Sequence, residues 1–490
     1  MGGRAAYVAI DRSTTIRRLS RDSNAPALRS PWEGNVRRRT AILLALGLIA
    51  SMAVTAGVAQ AAETAGEAAA ACEDLYGDVF GVPNGEPLGP CQWDMALINA
   101  DDDGSYGYAT GAGVTVGVID SGVDFFHADI EPNLDQDLSC SFIFDDTPTA
   151  GPAEIANGDC TNKAAVQDLN GHGSHVASSI AAPINGIGIA GVAPEATLVG
   201  LKACTQAGYC FADSVAAALR YAGDVQLDIV NLSLYADPYL YYCKNDAQQR
   251  AILKELESAA RYAQQRGVLI VSSAGNAQAD LQHPGIDPTS PDWPPGEAEV
   301  RDVGNECRVA VGELPGVMTV SATGPIGYPG YDLWIADYSS VGMSRVDVAA
   351  PGGDYFRATG TVRDATLAAL SGTSDPDDGI WDFFDFLEQN VPGFEGMTLL
   401  DQGYRYAYLN GTSMASPRAA GVAALVVEMH PNWSPGAVKA AVQRSAQHVD
   451  CPSDWEPLGP GDERERCYGN SGRTSFFGHG LVDALAAANS

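Results

Sequence analysis

Two serines in this chain sit in the same tripeptide, Gly-Thr-Ser, and only one has the surroundings of a nucleophile. Ser413 lies in "YLNGTSMASPRAAG" (408–421) and Ser374 in "LSGTSDPDDG" (370–379). A serine hydroxyl is a weak nucleophile until a base takes its proton and fixed dipoles receive the developing charge. Ser413 is followed by small residues that read as the start of a helix, where free backbone N–H groups face an incoming oxyanion. Ser374 is followed by Asp375, Pro376 and more aspartates, so no helix starts there and the local field is negative. Gly-Thr-Ser alone is a common polar turn, and partners must come from elsewhere in the chain.

Three other segments carry suitable residue types. "VGVIDSGVDFFHADI" (116–130) puts Asp120 at the end of an apolar run, before a glycine turn. Open α/β sheets place their sites at such strand ends, although a lone Asp there is as often a turn residue. "DLNGHGSHVASSIAA" (168–182) sets His172 between two glycines that allow close approach of other segments. Zinc binding by His172 and His175 fails on spacing, because ligating histidines on one helical face sit four apart. "SSAGN" (272–276) ends a strand with Asn276, whose amide can donate to an oxyanion; taken singly it reads as a turn residue.

The positioning elements follow from the apolar pattern. "VTVGVI" (114–119), "TLVGLK" (197–202), "DIVNLSL" (228–234), "VLIVSS" (268–273) and "VMTVSA" (317–322) are continuous rather than alternating, as expected of strands buried on both faces. Helical stretches at 212–223 and 247–267 separate some of them, and Ser434-Pro435 reads as the cap and first turn of a helix through Val449. Alternating strand and helix predicts an α/β fold with a central, mainly parallel sheet and helices on both faces. Residues 62–92, rich in Ala, Gly and Glu, read as a short leader or linker; 93–490 is one domain, with an acidic insertion at about 354–407.

Composition sets the setting. Hydrophobic residues at 46% permit a sizeable core. Residues 37–62, "RRRTAILLALGLIASMAVTAGVAQAA", combine a basic stretch, an apolar run and the small-x-small site Ala59-Gln60-Ala61, which together predict a cleaved export signal within 1–61. A membrane helix over 41–59 is the alternative, weakened by Gly47, Ser51, Thr55 and Gly57. Without residues 1–61, 20 basic residues face 58 acidic ones, a formal charge of −38. That surface repels nucleic acid and anionic membranes. A secreted monomer with no stable membrane association is expected. All ten cysteines follow residue 61, and none forms a Cys-x-x-Cys pair that would suggest zinc. Sequence-local disulfides are predicted: Cys72–Cys91, Cys140–Cys160, Cys204–Cys210, Cys243–Cys307 and Cys451–Cys467.

Four motifs, "VIDSGVD", "NGHGSHVAS", "SSAGN" and "GTSMASP", in the order Asp, His, Asn, Ser, resemble those of the subtilisin-like serine peptidases, the subtilase family. The resemblance runs from about residue 93 to 488. It implies a subtilisin-like three-layer fold and a secreted endopeptidase acting on polypeptide substrates. Ser413 would attack the scissile carbonyl, His172 would relay the proton, and Asp120 would hold the imidazole. Asn276 and the Ser413 backbone N–H would bind the oxyanion. Ser233, Leu234 and Tyr235, with Ser273, Ala274 and Gly275, would flank an extended substrate as added strands.

The departures are specific. Arg418 follows Pro417 where the family usually has His, Ser178 stands where Gly is usual, and so does Tyr235, at the mouth of the pocket for the side chain preceding the cut. Residues 62–92 are too few for a folded propeptide. No cofactor is required. Calcium is not expected in "PINGIGIAGVAP" (183–194), which looks one residue short of the family's calcium loop and lacks a carboxylate before Glu195. Asp375, Asp377, Asp378 and Asp382 could hold a hard cation, a solvated acidic loop being the plainer reading. The rival function, a catalytically silent binding module of this family, conflicts with the four intact residues. An α/β-hydrolase needs a Gly-x-Ser-x-Gly elbow and the order Ser, Asp, His, and this chain has neither.

Overall fold

The computed structural model of the chain describes residues 63–325, 334–372, 379–452, 457, 462, 464, 466–470 and 472–490. The export segment 1–61, Ser374, Asp375, Asp377 and Asp378 and the side chain of Asp382 lie outside the described residues. Short turns and minor strands aside, the elements are β1 (Glu63–Thr64), α1 (Ala65–Phe80), β2 (Thr115–Asp120), β3 (Cys140–Ser141), α2 (His172–Ala181), β4 (Thr197–Lys202), α3 (Ala212–Asp224), β5 (Ile229–Leu232) and α4 (Ala247–Gln265). They continue with β6 (Leu269–Ser273), β7 (Met318–Thr323), β8 (Val348–Pro351), β9 (Thr366–Ala369), α5 (Gly379–Asn390), β10 (Thr398–Asp401), β11 (Tyr404–Leu409), α6 (Thr412–Met429) and α7 (Pro435–Ser445).

Seven strands form the central sheet in the order β8-β7-β6-β5-β2-β4-β3, every neighbouring pair parallel. Successive side chains of a strand point to opposite faces, and here both faces are buried. Val116, Val118, Ile229 and Val271 join the apolar cluster that holds α2, α6 and α7, while Ile119, Val230, Leu232 and Ile270 join the one that holds α3 and α4. This is the three-layer arrangement expected from the continuous apolar runs. The helix capped by Ser434, whose side chain accepts from the Ala437 N–H, ends at Ser445 rather than at Val449.

Residues 62–92 are not a linker. Thr64 and Glu67 form a reciprocal cap on α1, and Ala65, Ala68, Cys72 and Tyr76 make a buried stripe along it. β1 pairs in parallel with β10, so a second sheet forms in the order β1-β10-β11-β9. Three of its strands come from the insertion. The Tyr76 hydroxyl donates to Asp364 at 3.0 Å, and the Trp93 Nε1 donates to the Ala365 carbonyl at 3.0 Å. The leader and the insertion are therefore one folded unit. The alanine-rich composition hid the helical stripe, and no local signal announced a partner so distant in sequence. The five predicted cysteine pairs are the five disulfides of the structure, with no free cysteine among the described residues.

Candidate active site

Asp120 closes β2 and is 2% exposed. Its Oδ1 accepts from the Ser121 N–H at 2.7 Å and lies 2.8 Å from His172 Nδ1. An ionised carboxylate only accepts, so Nδ1 carries the hydrogen and the lone pair of the neutral ring is left on Nε2. Burial lowers the His172 pKa; the Asp120 charge and hydrogen bond outweigh it and leave the net value above the ordinary one.

The two glycines beside His172 have different tasks. Gly171 has φ 97°, the left-handed conformation that opens α2. A Cβ on Gly173 would lie 2.0 Å from the Gly122 carbonyl oxygen, so the histidine helix can abut the Asp120 turn only without a side chain there.

Asp168 is the residue that sequence reading left without a role. Its Oδ1 accepts from the Asn170 and Gly171 N–H groups and from the Ser121 hydroxyl, each at 2.9 Å. Its Oδ2 accepts from the Ser174 N–H at 2.9 Å and the Ser174 hydroxyl at 2.7 Å. One buried carboxylate thus ties the start of α2 to the neighbour of Asp120. The signal was an Asp four residues before His172, which a turn residue would equally supply.

Ser413 is the second residue of α6. Its hydroxyl donates to the Ser233 carbonyl at 3.0 Å, and the Ser233 hydroxyl donates back to the Ser413 carbonyl at 2.8 Å. Asn231 Nδ2 fixes the Ser233 hydroxyl at 2.9 Å. In this arrangement the Ser413 hydroxyl faces Ser233 and makes no hydrogen bond to His172. Asn276 is exposed at the end of β6, and its Oδ1 accepts from the Thr412 N–H at 2.9 Å and the Thr412 hydroxyl at 2.7 Å. With Oδ1 engaged, Nδ2 is the free end of the amide, 3.6 Å from where a Cβ on Gly411 would lie.

Ser233, Leu234 and Tyr235 continue from β5, and Ser273, Ala274 and Gly275 follow from the end of β6, its parallel neighbour, with Leu232 opposite Ser272. The two segments leave the sheet side by side at its carboxyl edge, where α/β sheets bind ligands. Tyr235 does not point freely to solvent. Its ring packs against the apolar cluster that includes Leu240, Ala274 and Val309, and its hydroxyl donates to Asp292 at 2.8 Å.

The other two departures have partners. The Ser178 hydroxyl accepts from the Ala369 N–H of β9 at 3.0 Å. Arg418 is fully buried, pairs with the fully buried Asp94 through Nε at 2.6 Å, and donates to the Met414 carbonyl at 2.7 Å. Around 183–194, carboxylates arrive from three distant segments. Glu86 accepts from the Gly186 N–H at 2.8 Å, Asp401 from the Gly188 N–H at 2.8 Å, and Asp129 from the Ile189 N–H at 3.1 Å. The loop turns amide hydrogens toward them. Among the described residues no group of three or more His, Cys, Asp or Glu side chains is arranged to hold a metal, and no helix is long and apolar enough to cross a membrane.

A family model described as the Subtilase family matches residues 111–480. Subtilisin Savinase of Lederbergia lenta is 27% identical over 81% of this chain and 97% of its own. M-protease of Shouchella clausii (strain KSM-K16) is also 27% identical, over 81% of this chain and 69% of its own. Among solved structures, fervidolysin from Fervidobacterium pennivorans, titled a keratinolytic enzyme related to subtilisin, superposes with a TM-score of 0.54 at 25% identity. The match covers 83% of this chain but only 46% of fervidolysin.

Proposed function

Because this chain belongs to the subtilase family of serine-type peptidases, we propose that it is a secreted, monomeric endopeptidase that hydrolyses polypeptides through Asp120, His172 and Ser413. His172 Nε2 takes the Ser413 proton as Oγ attacks the carbonyl carbon, and returns it to the leaving amine. Asp120 keeps the ring in the Nδ1–H tautomer and stabilises the imidazolium. The Asn276 amide and the Ser413 N–H receive the oxyanion. Water then cleaves the acyl-enzyme by the same proton relay. No step calls for a metal or cofactor.

The observation that carries this reading is the 2.8 Å contact of Asp120 Oδ1 with His172 Nδ1, formed at the sheet edge that also presents Ser413 and Asn276. The five disulfides fit an oxidising, extracellular setting. We further propose that substrate lies between 233–235 and 273–275, and that the Tyr235 ring narrows the pocket for the residue before the cut, favouring small side chains there.

A fluorophosphonate probe tests the chemistry. The parent and Ser374→Ala proteins should label and digest peptides, and Ser413→Ala should do neither. Labelling that survives Ser413→Ala overturns the assignment.

A further inference from the structure

Tyr235 can restrict a pocket only if its ring is held, and a carboxylate and its turn hold it. The Tyr235 hydroxyl donates to Asp292 Oδ2 at 2.8 Å. Asp292 itself is fixed through its backbone, whose N–H donates to the Pro238 carbonyl at 3.0 Å. The turn before it is stiff. Asp287 accepts from the Thr289 and Ser290 N–H groups and pairs with Arg301, and the Ser290 hydroxyl accepts from the Leu240 N–H. Behind Asp292 stands the buried Asp237, whose carboxylate accepts from the Cys210 N–H. Burial, with the neighbouring Asp292, pushes the Asp237 carboxyl up.

We propose that Asp292, held through its backbone by Pro238, is the positioning residue that pins Tyr235 between the two substrate-flanking segments and thereby sets the preference for a small residue before the cut. This rests on the pocket reading of Tyr235 given above.

The chemistry gives a diagnostic series. Asp292→Ala removes the acceptor and frees the ring. Tyr235→Phe keeps the ring and removes the donor. Asp292→Asn keeps an acceptor for the Tyr235 hydroxyl in its amide oxygen while removing the charge. The four proteins and Tyr235→Gly are compared on acyl peptides that differ only in Ala or Phe before the cut, with KM and kcat measured separately and probe labelling counting active enzyme.

Tyr235→Gly, Tyr235→Phe and Asp292→Ala should each raise the Phe-to-Ala ratio of kcat/KM by about tenfold, the lower end of pocket-fit discrimination, mainly through KM. Asp292→Asn should keep the parent ratio, and Asp292→Ala added to Tyr235→Gly should change nothing more. If Tyr235→Gly shifts the ratio while Asp292→Ala and Tyr235→Phe leave it at the parent value, Asp292 does not position the ring. If Tyr235→Gly itself leaves the ratio unchanged, the pocket reading fails first, and the anchor with it.

Discussion

Thr412 decides what Asn276 can do. An asparagine amide has a donor end and an acceptor end, and Thr412 occupies the acceptor with two hydrogen bonds. The donor is thereby turned outward before any substrate arrives, which is the preorganisation that makes such donors effective. We predict that Asn276→Ala lowers kcat by about 10²–10³ with little change in KM; an equal loss in KM would mean that the amide binds substrate rather than the transition state. Thr412→Val, which keeps the N–H contact and loses the hydroxyl, should fall between parent and Asn276→Ala. The same residue scale sets the acid limb of activity. As the proposed base, His172 would have to be neutral to accept a proton, and its pKa lies above the ordinary histidine value because Asp120 outweighs burial. Activity should therefore rise with pH through a midpoint above about 6.5. Asp120→Asn should move that midpoint down and lower kcat by about 10⁴; an unmoved midpoint would show that another group sets the limb.

The histidine helix α2 is held by two neighbouring strands of the second sheet. Ser178 accepts from β9, and the His175 ring meets the Ala407 carbonyl of β11 at 3.1 Å. His175 is fully buried, with Nδ1 unpartnered, so the ring is neutral and donates through Nε2. Burial, aided by the Arg418 charge, depresses its pKa to about 3. A histidine depressed in the folded state stabilises the fold above its unfolded pKa of about 6.5, and that contribution is lost as pH falls from there toward 3. In a Ser413→Ala background, which removes self-digestion, His175→Gln should flatten the fall of melting temperature between pH 6.5 and 4; a parallel pair of curves would refute the assignment. Legibility divides here in a physical way. Asp120, His172, Asn276 and Ser413 stood out because each sits beside glycines or small residues at a strand or helix end, a local pattern. Ser178 and Arg418 were visible only as departures. Their partners, Ala369 and Asp94, lie 191 and 324 residues away, and nothing local records a contact at that range. The parallel sheet was legible from its apolar runs, and the disulfides from pairing each cysteine with the next along the chain.

At the scale of the whole molecule, the misread part is the most instructive. An alanine-rich stretch at the start of the described chain is core, because its helix packs on a sheet built mostly from the insertion. We predict that the mature protein begins at or before Glu63, and that Cys72 and Cys91 remain bonded in it; N-terminal sequencing and non-reducing peptide mapping check both. A mature start beyond Cys91 would show that the segment is removed after folding. Replacing both cysteines by serine should lower stability by about 3 kcal/mol through the freed loop, measured by urea unfolding of the inactive background. The cross-chain contacts carry a further meaning for the order of events. Tyr76 meets Asp364 across 288 residues and Trp93 meets Ala365 across 272. The first described segment of the chain must wait for strands made more than 280 residues later. Until residues beyond 409 have been made, α1 has no sheet, α2 has no brace, and Ser413 is absent. Chain order itself is a timer, delaying assembly of the site until Ser413 and the strands of both sheets are all present.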